Sequence, residues 1–456
     1  MLKSQEDNKI YSVNQLHDWF TEGAKEKEDW KVGTEHEKFA YLFSKNSKQY
    51  VPLKYLGKPG IESFLIEISK HGWTTILDKN KVIGLKKGKQ SITLEPGGQV
   101  ELSGAPLFDL HSTCRETNEH LKLLKKIGEK LNITLLGLGS RPFEKLDDLD
   151  WMPKSRYTIM KNYMPKKGKT GIEMMLSTCT VQANLDYSSE QDMINKITLA
   201  TKIQPIITAL FANSPFSEGQ LNGYLSKRRY IWTDTDKDRC GVLKPVFEKD
   251  FSFMKYINYA LSVPMYFIIR KNKYINCAGK SFKDFMNGSL DILEGERPTF
   301  KDWEDHLSTI FNEVRLKKFI EVRGADAGTW RRTCALPAFW VGLLYDTHSL
   351  NSALNLSKKW SYADVEKLST EVSKKGLKAK IQGFTIFDIA KELLSLANNG
   401  LKERSILDKS GKDETVYLSV LEEILSSKKT PAEKLIDNFN EKWSRRMDKL
   451  ISDLAY

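Results

Sequence analysis

The chain has 456 residues, 40% of them hydrophobic, which suffices for a large core and for up to about three domains. Its formal charge is +12, but the lysines are spread along the chain, so the excess reads as solvated surface and no basic stripe with interleaved aromatics marks a nucleic-acid binder. Five cysteines without a CxxC pair exclude a disulfide scaffold and a cysteine zinc site, and they set the expectation of a reducing cytoplasm.

Met1 to Asp7 carries neither the apolar core of a signal peptide nor an Arg- and Ser-rich transit composition, so no targeting is expected. Ser12 then caps a predicted helix whose Val13, Leu16, Trp19 and Phe20 make one apolar face. A strand follows from about Trp30 to Phe43. Up to residue 350, strand-like runs (Ser91 to Ser103, Ile133 to Gly139, Met174 to Tyr187, Met265 to Tyr274, Lys318 to Arg323) alternate with helical ones at Leu107 to Leu131 and Gln191 to Phe211. Met265 to Asn276, with Lys271-Asn272-Lys273 at its middle, reads as a hairpin. The apolar runs Tyr259 to Ile269 and Cys334 to Tyr345 are shorter than the roughly 18 to 20 residues of a membrane span and are expected in the core. Beyond about Asn351 the pattern is helical throughout, at Tyr362 to Lys374, Thr385 to Ala397, Thr415 to Ser426 and Pro431 to Leu454. The fold class is α+β, with a catalytic core over 1–350 and a helical part over 351–456 that forms one functional unit with it.

Chemistry is concentrated in the strand-like segments. The period of two puts Glu35 and Glu37 on one face of the first strand, with Gly33 leaving room beside them. Pro96-Gly97-Gly98 bends the next segment so that Gln99, Glu101 and Ser103 point together and Glu95 converges on Glu101. Thr178, Thr180, Gln182 and Asn184 line one polar face opposite Cys179, Val181, Ala183 and Leu185. Glu321 aligns with Arg323. His36 points away from the acids and is expected to be a packed or surface histidine. If Glu35, Glu37, Glu95, Glu101 and Glu321 meet in one cleft, a pair about 6 Å apart repels by roughly 3 kcal/mol at an effective dielectric of about 20. Such a cluster needs cations, and carboxylate-rich ligation without Cys or paired His suggests Mg²⁺ or Mn²⁺ bridging to phosphates. No GxxxxGK[ST] loop and no GxGxxG after a strand accounts for nucleotide use.

These segments resemble a family. Gly33 to Lys38, Leu94 to Gly104, Trp151 to Tyr157, Thr178 to Asp186, Leu210 to Phe216, Ile231 to Asp236 and Glu321 to Asp326 are similar, in order, to the plant and proteobacterial type of glutamate–cysteine ligase. The resemblance implies a glutamine-synthetase-like antiparallel sheet curled into a funnel with outer helices. It implies that ATP phosphorylates the γ-carboxylate of L-glutamate and that the amine of L-cysteine attacks the acyl phosphate, the first step of glutathione synthesis. It also implies that Glu35, Glu37, Glu95, Glu101 and Glu321 hold Mg²⁺, with Gln182 or Asn184 able to help, and that Arg323 neutralises the transferred phosphoryl group. For the glutamate α-carboxylate Arg156 is favoured and Arg228 is the second candidate, while Thr178 and Thr180 are candidates to bond the amino acid. Cys114 and Cys334 match one disulfide pair of the plant enzymes, whereas Ile292 stands where the partner of Cys277 is found there.

A related ligase with another amine acceptor is the nearest alternative. A two-carboxylate glycosidase explains neither the five acids nor Arg323, and a nucleic-acid binder would show a steep salt dependence. The expected partners are the small-molecule substrates, without nucleic acid or membrane, in a monomer or a redox-dependent homodimer.

Overall fold

The computed structural model describes residues 9–44 and 49–456; the first seven residues, on which the targeting expectation rests, lie outside them. Ten strands form one sheet in which every pairing is antiparallel: β1 (Val32–Ser44), β2 (Gln49–Pro52), β3 (Thr74–Asp78), β4 (Lys81–Lys87), β5 (Gln90–Leu94), β6 (Val100–Ser103), β7 (Ile133–Leu136), β8 (Thr180–Leu185), β9 (Val314–Leu316) and β10 (Ile320–Asp326). Their order is β9-β10-β8-β1-β6-β5-β4-β3. β1 is long enough to serve two sets of neighbours. Its first half lies between β8 and β6, and from Phe39 onward it pairs with β7 and β2 instead.

One face of the central strands is apolar and buried under helices. Val181, Ala183 and Leu185 of β8 share a core cluster with Ile197 and Ile203 of the helix Glu190–Leu210 and with Ala335 and Leu336 of the helix Trp330–Leu344. Leu368, Val372 and Leu393, from helices beyond residue 350, belong to the same cluster. Among the described residues no helix is long and apolar enough to cross a membrane. The run Cys334 to Tyr345 lies almost wholly within the Trp330–Leu344 helix, whose residues from Thr333 to Leu344 are all buried.

Most predicted elements are present. The first helix is Val13–Thr21, where the Gln15 side chain accepts from the Ser12 N–H at 3.1 Å. The hairpin is Phe267–Arg270 with Lys273–Asn276, turning on positive φ at Lys271 and Asn272. Two readings are corrected. Met174 does not begin a strand, because Gly171–Ser177 is a helix and β8 starts only at Thr180. The segment Ile172 to Leu176 is too short for its apolar spacing to choose a state. Pro431 to Leu454 is two helices, Pro431–Asn440 and Asp448–Leu454, separated by Ser444 and Arg445 at positive φ.

Candidate active site

The polar face of the central strands carries the acids. Glu37 lies directly opposite Glu101 across the β1–β6 ladder, Glu35 stands opposite Gln182 on β8, and Glu321 stands opposite Asn184. Burial raises the Glu35 carboxyl to about 7, with Glu321 and Glu101 adding to the shift. Glu37 is pushed well above the carboxylate range, first by burial and then by Glu101 and Glu95, while Arg228 and the Thr180 N–H pull it back. Glu101 is raised in the same way, by burial and by Glu95. These carboxylates repel one another across the face.

Glu321 behaves differently. Burial alone would raise its pKa, but the surrounding cations hold it below the usual range: Arg315 Nε lies 2.5 Å from one oxygen, and Lys317 Nζ (3.7 Å) and Arg323 Nη1 (3.5 Å) flank the other. Charge compensation therefore differs along this face: Glu321 is surrounded by three cations, whereas Glu35, Glu37 and Glu101 are raised by burial and by neighbouring acids. Among the described residues, no group of three His, Cys, Asp or Glu side chains could hold an ion unaided. Sequence reading passed over Arg315 and Lys317. Their signal was the alternation Val314-Arg315-Leu316-Lys317, but only pairing puts Arg315 opposite Glu321.

A cavity opens from this face. Its walls include Glu37, Glu95, Arg156, Arg228 and Arg323, which the sequence gives in five separate segments. Arg228 is almost fully buried, and its Nη2 donates to the Arg323 carbonyl at 2.9 Å. Arg156 is about one-third exposed, stacks on Tyr157, and approaches Glu95 only to 4.0 Å. Arg323 Nη1 donates to Gln182 Oε1 at 2.7 Å. Met160, Trp232, Phe267 and Phe311 give the cavity its apolar lining, with the Arg228 guanidinium 5.8 Å from the Trp232 ring centroid. They come from four distant segments and share no period, so no sequence signal joins them.

The other candidate side chains are engaged. The Thr178 hydroxyl donates to the Met174 carbonyl at 2.8 Å, and Asn184 Nδ2 donates to Glu35 Oε1 at 2.9 Å. The Thr180 hydroxyl shares its one proton between the carbonyls of Arg323 (3.0 Å) and Ala325 (2.8 Å). Gln99 lines the cavity, yet it accepts from the Gly97 N–H (2.9 Å) and donates to the carbonyls of Met175 (3.2 Å) and Thr178 (2.8 Å). It clasps the Pro96-Gly97-Gly98 bend to the end of the Gly171–Ser177 helix. Gly97 is needed there because a Cβ would run into the Leu176 backbone. His36 is on the opposite face, buried edge-to-face against His120 with ring centroids 5.5 Å apart, and burial lowers its pKa. That agrees with a packed histidine.

Cys114 and Cys334 are free, buried thiols in contact, on the helices Leu110–Leu131 and Trp330–Leu344. Cys277 is buried alone with its pKa raised to about 11 by burial, while Ile292 is 40% exposed. Oxidant is expected to act slowly, through Cys114 and Cys334, raising the thermal midpoint by closing a long loop of the unfolded chain. Thermal midpoint and activity, oxidised against reduced, test this: Cys334→Ser should abolish the difference and Cys277→Ser should keep it. The reverse pattern rejects the pair.

Comparison with known proteins adds the family context. The family model described as glutamate-cysteine ligase family 2 matches residues 31–452. Glutamate–cysteine ligase B of Oryza sativa subsp. japonica is 51% identical over 438 residues, covering 96% of this chain and 86% of the relative. The Arabidopsis thaliana glutamate–cysteine ligase is 50% identical over 439 residues, covering 96% and 82%. A glutamate–cysteine ligase from Francisella tularensis, solved in complex with AMP, superposes with a TM-score of 0.56 at 13% identity, covering 94% of this chain and 89% of that one, which shows a common fold. The Oryza and Arabidopsis relatives and that of Solanum lycopersicum are named chloroplastic, which overturns the expectation of a cytoplasmic protein. The cysteine argument could not make this distinction, since a reducing compartment need not be the cytoplasm.

Proposed function

The chain belongs to glutamate–cysteine ligase family 2, and we propose that the cavity beneath the Glu37–Glu101 face is where glutamate is activated and coupled. The enzyme ligates the γ-carboxylate of L-glutamate to the amine of L-cysteine with ATP, the first step of glutathione synthesis. A carboxylate is a poor electrophile. Transfer of the γ-phosphoryl to a γ-carboxylate oxygen expels ADP, and attack by the cysteine nitrogen on the acyl carbon then expels phosphate while the amine loses a proton. The observation that carries the assignment of the site is the meeting of buried Glu37, which Glu101 and Glu95 repel, with Arg228 and Arg323 in one cavity.

The donor set fits Mg²⁺ of one kind. Burial and mutual repulsion outweigh the nearby cations at Glu35 and Glu37, and the buried oxygens Glu321 Oε1 and Asn184 Oδ1 have no hydrogen-bond donor. Three acids do not converge into a cage, but Mg²⁺ is ordinarily held by one or two carboxylates together with substrate phosphates and water. Glu37 and Glu101 would hold it, with Glu35 and Glu95 beside them. Bound there, the ion supplies charge neutralisation at the phosphates. Arg323, steadied by Gln182 and Glu321, points its guanidinium into the same cavity and meets the phosphoryl group as it transfers.

Arg228 is the better-placed group for the glutamate α-carboxylate: it is fixed by the Arg323 carbonyl, buried, and makes no ion pair with a carboxylate among the described residues. Arg156 takes the rim. The apolar lining of Trp232, Phe267 and Phe311 suits a small thiol side chain better than a charged acceptor. The helices after residue 350 support the sheet, since their core is continuous with that of β8. ADP release by the purified protein with Mg²⁺ is expected only when glutamate and cysteine are both present. Equal turnover when ammonia replaces cysteine, or none with cysteine, rejects the assignment.

A further inference from the structure

We propose that Thr180 is a positioning residue that holds the β-bulge at Arg323–Gly324 and thereby sets the direction in which Arg323 reaches into the cavity. The inference rests on the reading of Arg323 as the group that meets the transferred phosphoryl. The β8–β10 ladder pairs Glu321 with Asn184 and Val322 with Ala183, then resumes with Ala325 opposite Val181 and Asp326 opposite Thr180. Three steps on β10 answer two on β8. Arg323 and Gly324 thus share a single opposing residue, Gln182, which is the geometry of a bulge. A consequence is visible in the packing. Val322 and Ala325, an odd number of residues apart, lie in the same core cluster, which unbroken alternation forbids.

A bulge takes carbonyls out of the ladder, and buried carbonyls need donors. Side chains provide them here. The Arg323 carbonyl accepts from Arg228 Nη2 at 2.9 Å and shares the Thr180 hydroxyl proton (3.0 Å) with the Ala325 carbonyl, and the Gly324 carbonyl accepts from the Thr208 hydroxyl at 3.0 Å. The Thr180 hydroxyl oxygen lies 2.8 Å from the Ala325 carbonyl and 3.1 Å from that of Val181. A hydroxyl has one proton, so Thr180 has none left to offer a substrate carboxylate. Its backbone N–H donates to Glu37 Oε2 at 3.0 Å. One residue therefore ties the acidic face to the arginine. Gly324 completes the bulge, because a Cβ would collide with the Gln204 side chain that lies against it.

The test measures ADP release for Thr180→Val, Thr180→Ser, Arg323→Met and the double variant Thr180→Val/Arg323→Met, with thermal midpoints alongside. Thr180→Val should lower kcat about tenfold or more while KM for glutamate and ATP stays within about threefold, and Thr180→Ser, which keeps the hydroxyl, should restore most of kcat. The double variant should be no slower than Arg323→Met alone, as for two groups acting in one step. A rise in KM for glutamate at normal kcat shows instead that the hydroxyl binds substrate, and overturns the proposal. So does additive loss in the double variant, or a Thr180→Ser enzyme as slow as Thr180→Val. Normal kinetics for Thr180→Val beside a crippled Arg323→Met overturns this proposal alone, whereas normal kcat in Arg323→Met removes the reading it rests on. If Thr180→Val does not fold, Thr180→Ala takes its place in each comparison.

Discussion

Arg323→Met lowers kcat by about a thousandfold, the scale of losing a preorganised cation at a transferring phosphoryl group. The guanidinium is only 13% exposed, so its charge acts in a site with little water to screen it. Its orientation is set on several sides, by Gln182 Oε1 at 2.7 Å, by Glu321 Oε1 at 3.5 Å and through its own carbonyl by Arg228 at 2.9 Å. Such a group needs no reorganisation as charge develops on the phosphoryl oxygens. Arg323→Lys keeps the charge but loses the planar fork, so it should recover only part of the rate. Glu321 still has Arg315 and Lys317 in either variant, so the fold should survive. The measurement is kcat for ADP release at saturating substrates, with the thermal midpoint as control. A methionine variant within tenfold of the wild-type rate takes Arg323 out of the chemistry.

The second large effect separates two kinds of acid. Glu37→Gln and Glu101→Gln each lower activity by at least about a hundredfold and raise the Mg²⁺ concentration needed for half-maximal rate, because each removes a charge from the face proposed to hold the ion. Both carboxyls are raised by burial and by neighbouring acids, so an amide in either place relieves repulsion in the metal-free protein. Their metal-free thermal midpoints should hold or rise. Glu321→Gln should do the opposite, since it leaves Arg315, Lys317 and Arg323 around a neutral group. Breaking a buried ion pair on one side costs about 3 kcal/mol or more of stability. Mg²⁺ titration and thermal melting of the three variants side by side decide the matter. A Glu37→Gln enzyme with normal turnover at low Mg²⁺ removes that residue from the ion's site, and an unchanged midpoint in Glu321→Gln denies it the structural role.

The amino-acid sequence determined which side chains share a strand face. Alternation along Val32–Ser44 and Thr180–Leu185 put Glu35 with Glu37 and Thr180 with Gln182 and Asn184 on one side, and both strands are present with those faces. It also determined the bend at Pro96-Gly97-Gly98, where Gly98 has φ +82° and Glu95 is turned back toward Glu101. These features are local, because the period of a strand and the φ of a glycine are properties of a few consecutive residues. Only the tertiary structure decided the partners. Arg315 and Lys317 neutralise Glu321 because β9 folds back on β10, and Arg228 reaches the Arg323 carbonyl across 95 residues of sequence. It also decided that Arg323 and Gly324 bulge, which no period in Glu321 to Asp326 announces, and that Ile172 to Leu176 is helical, since so short an apolar run fits either state until something packs on it. Pairing between strands far apart in the chain depends on which faces meet in the folded core, and that is information no single segment carries.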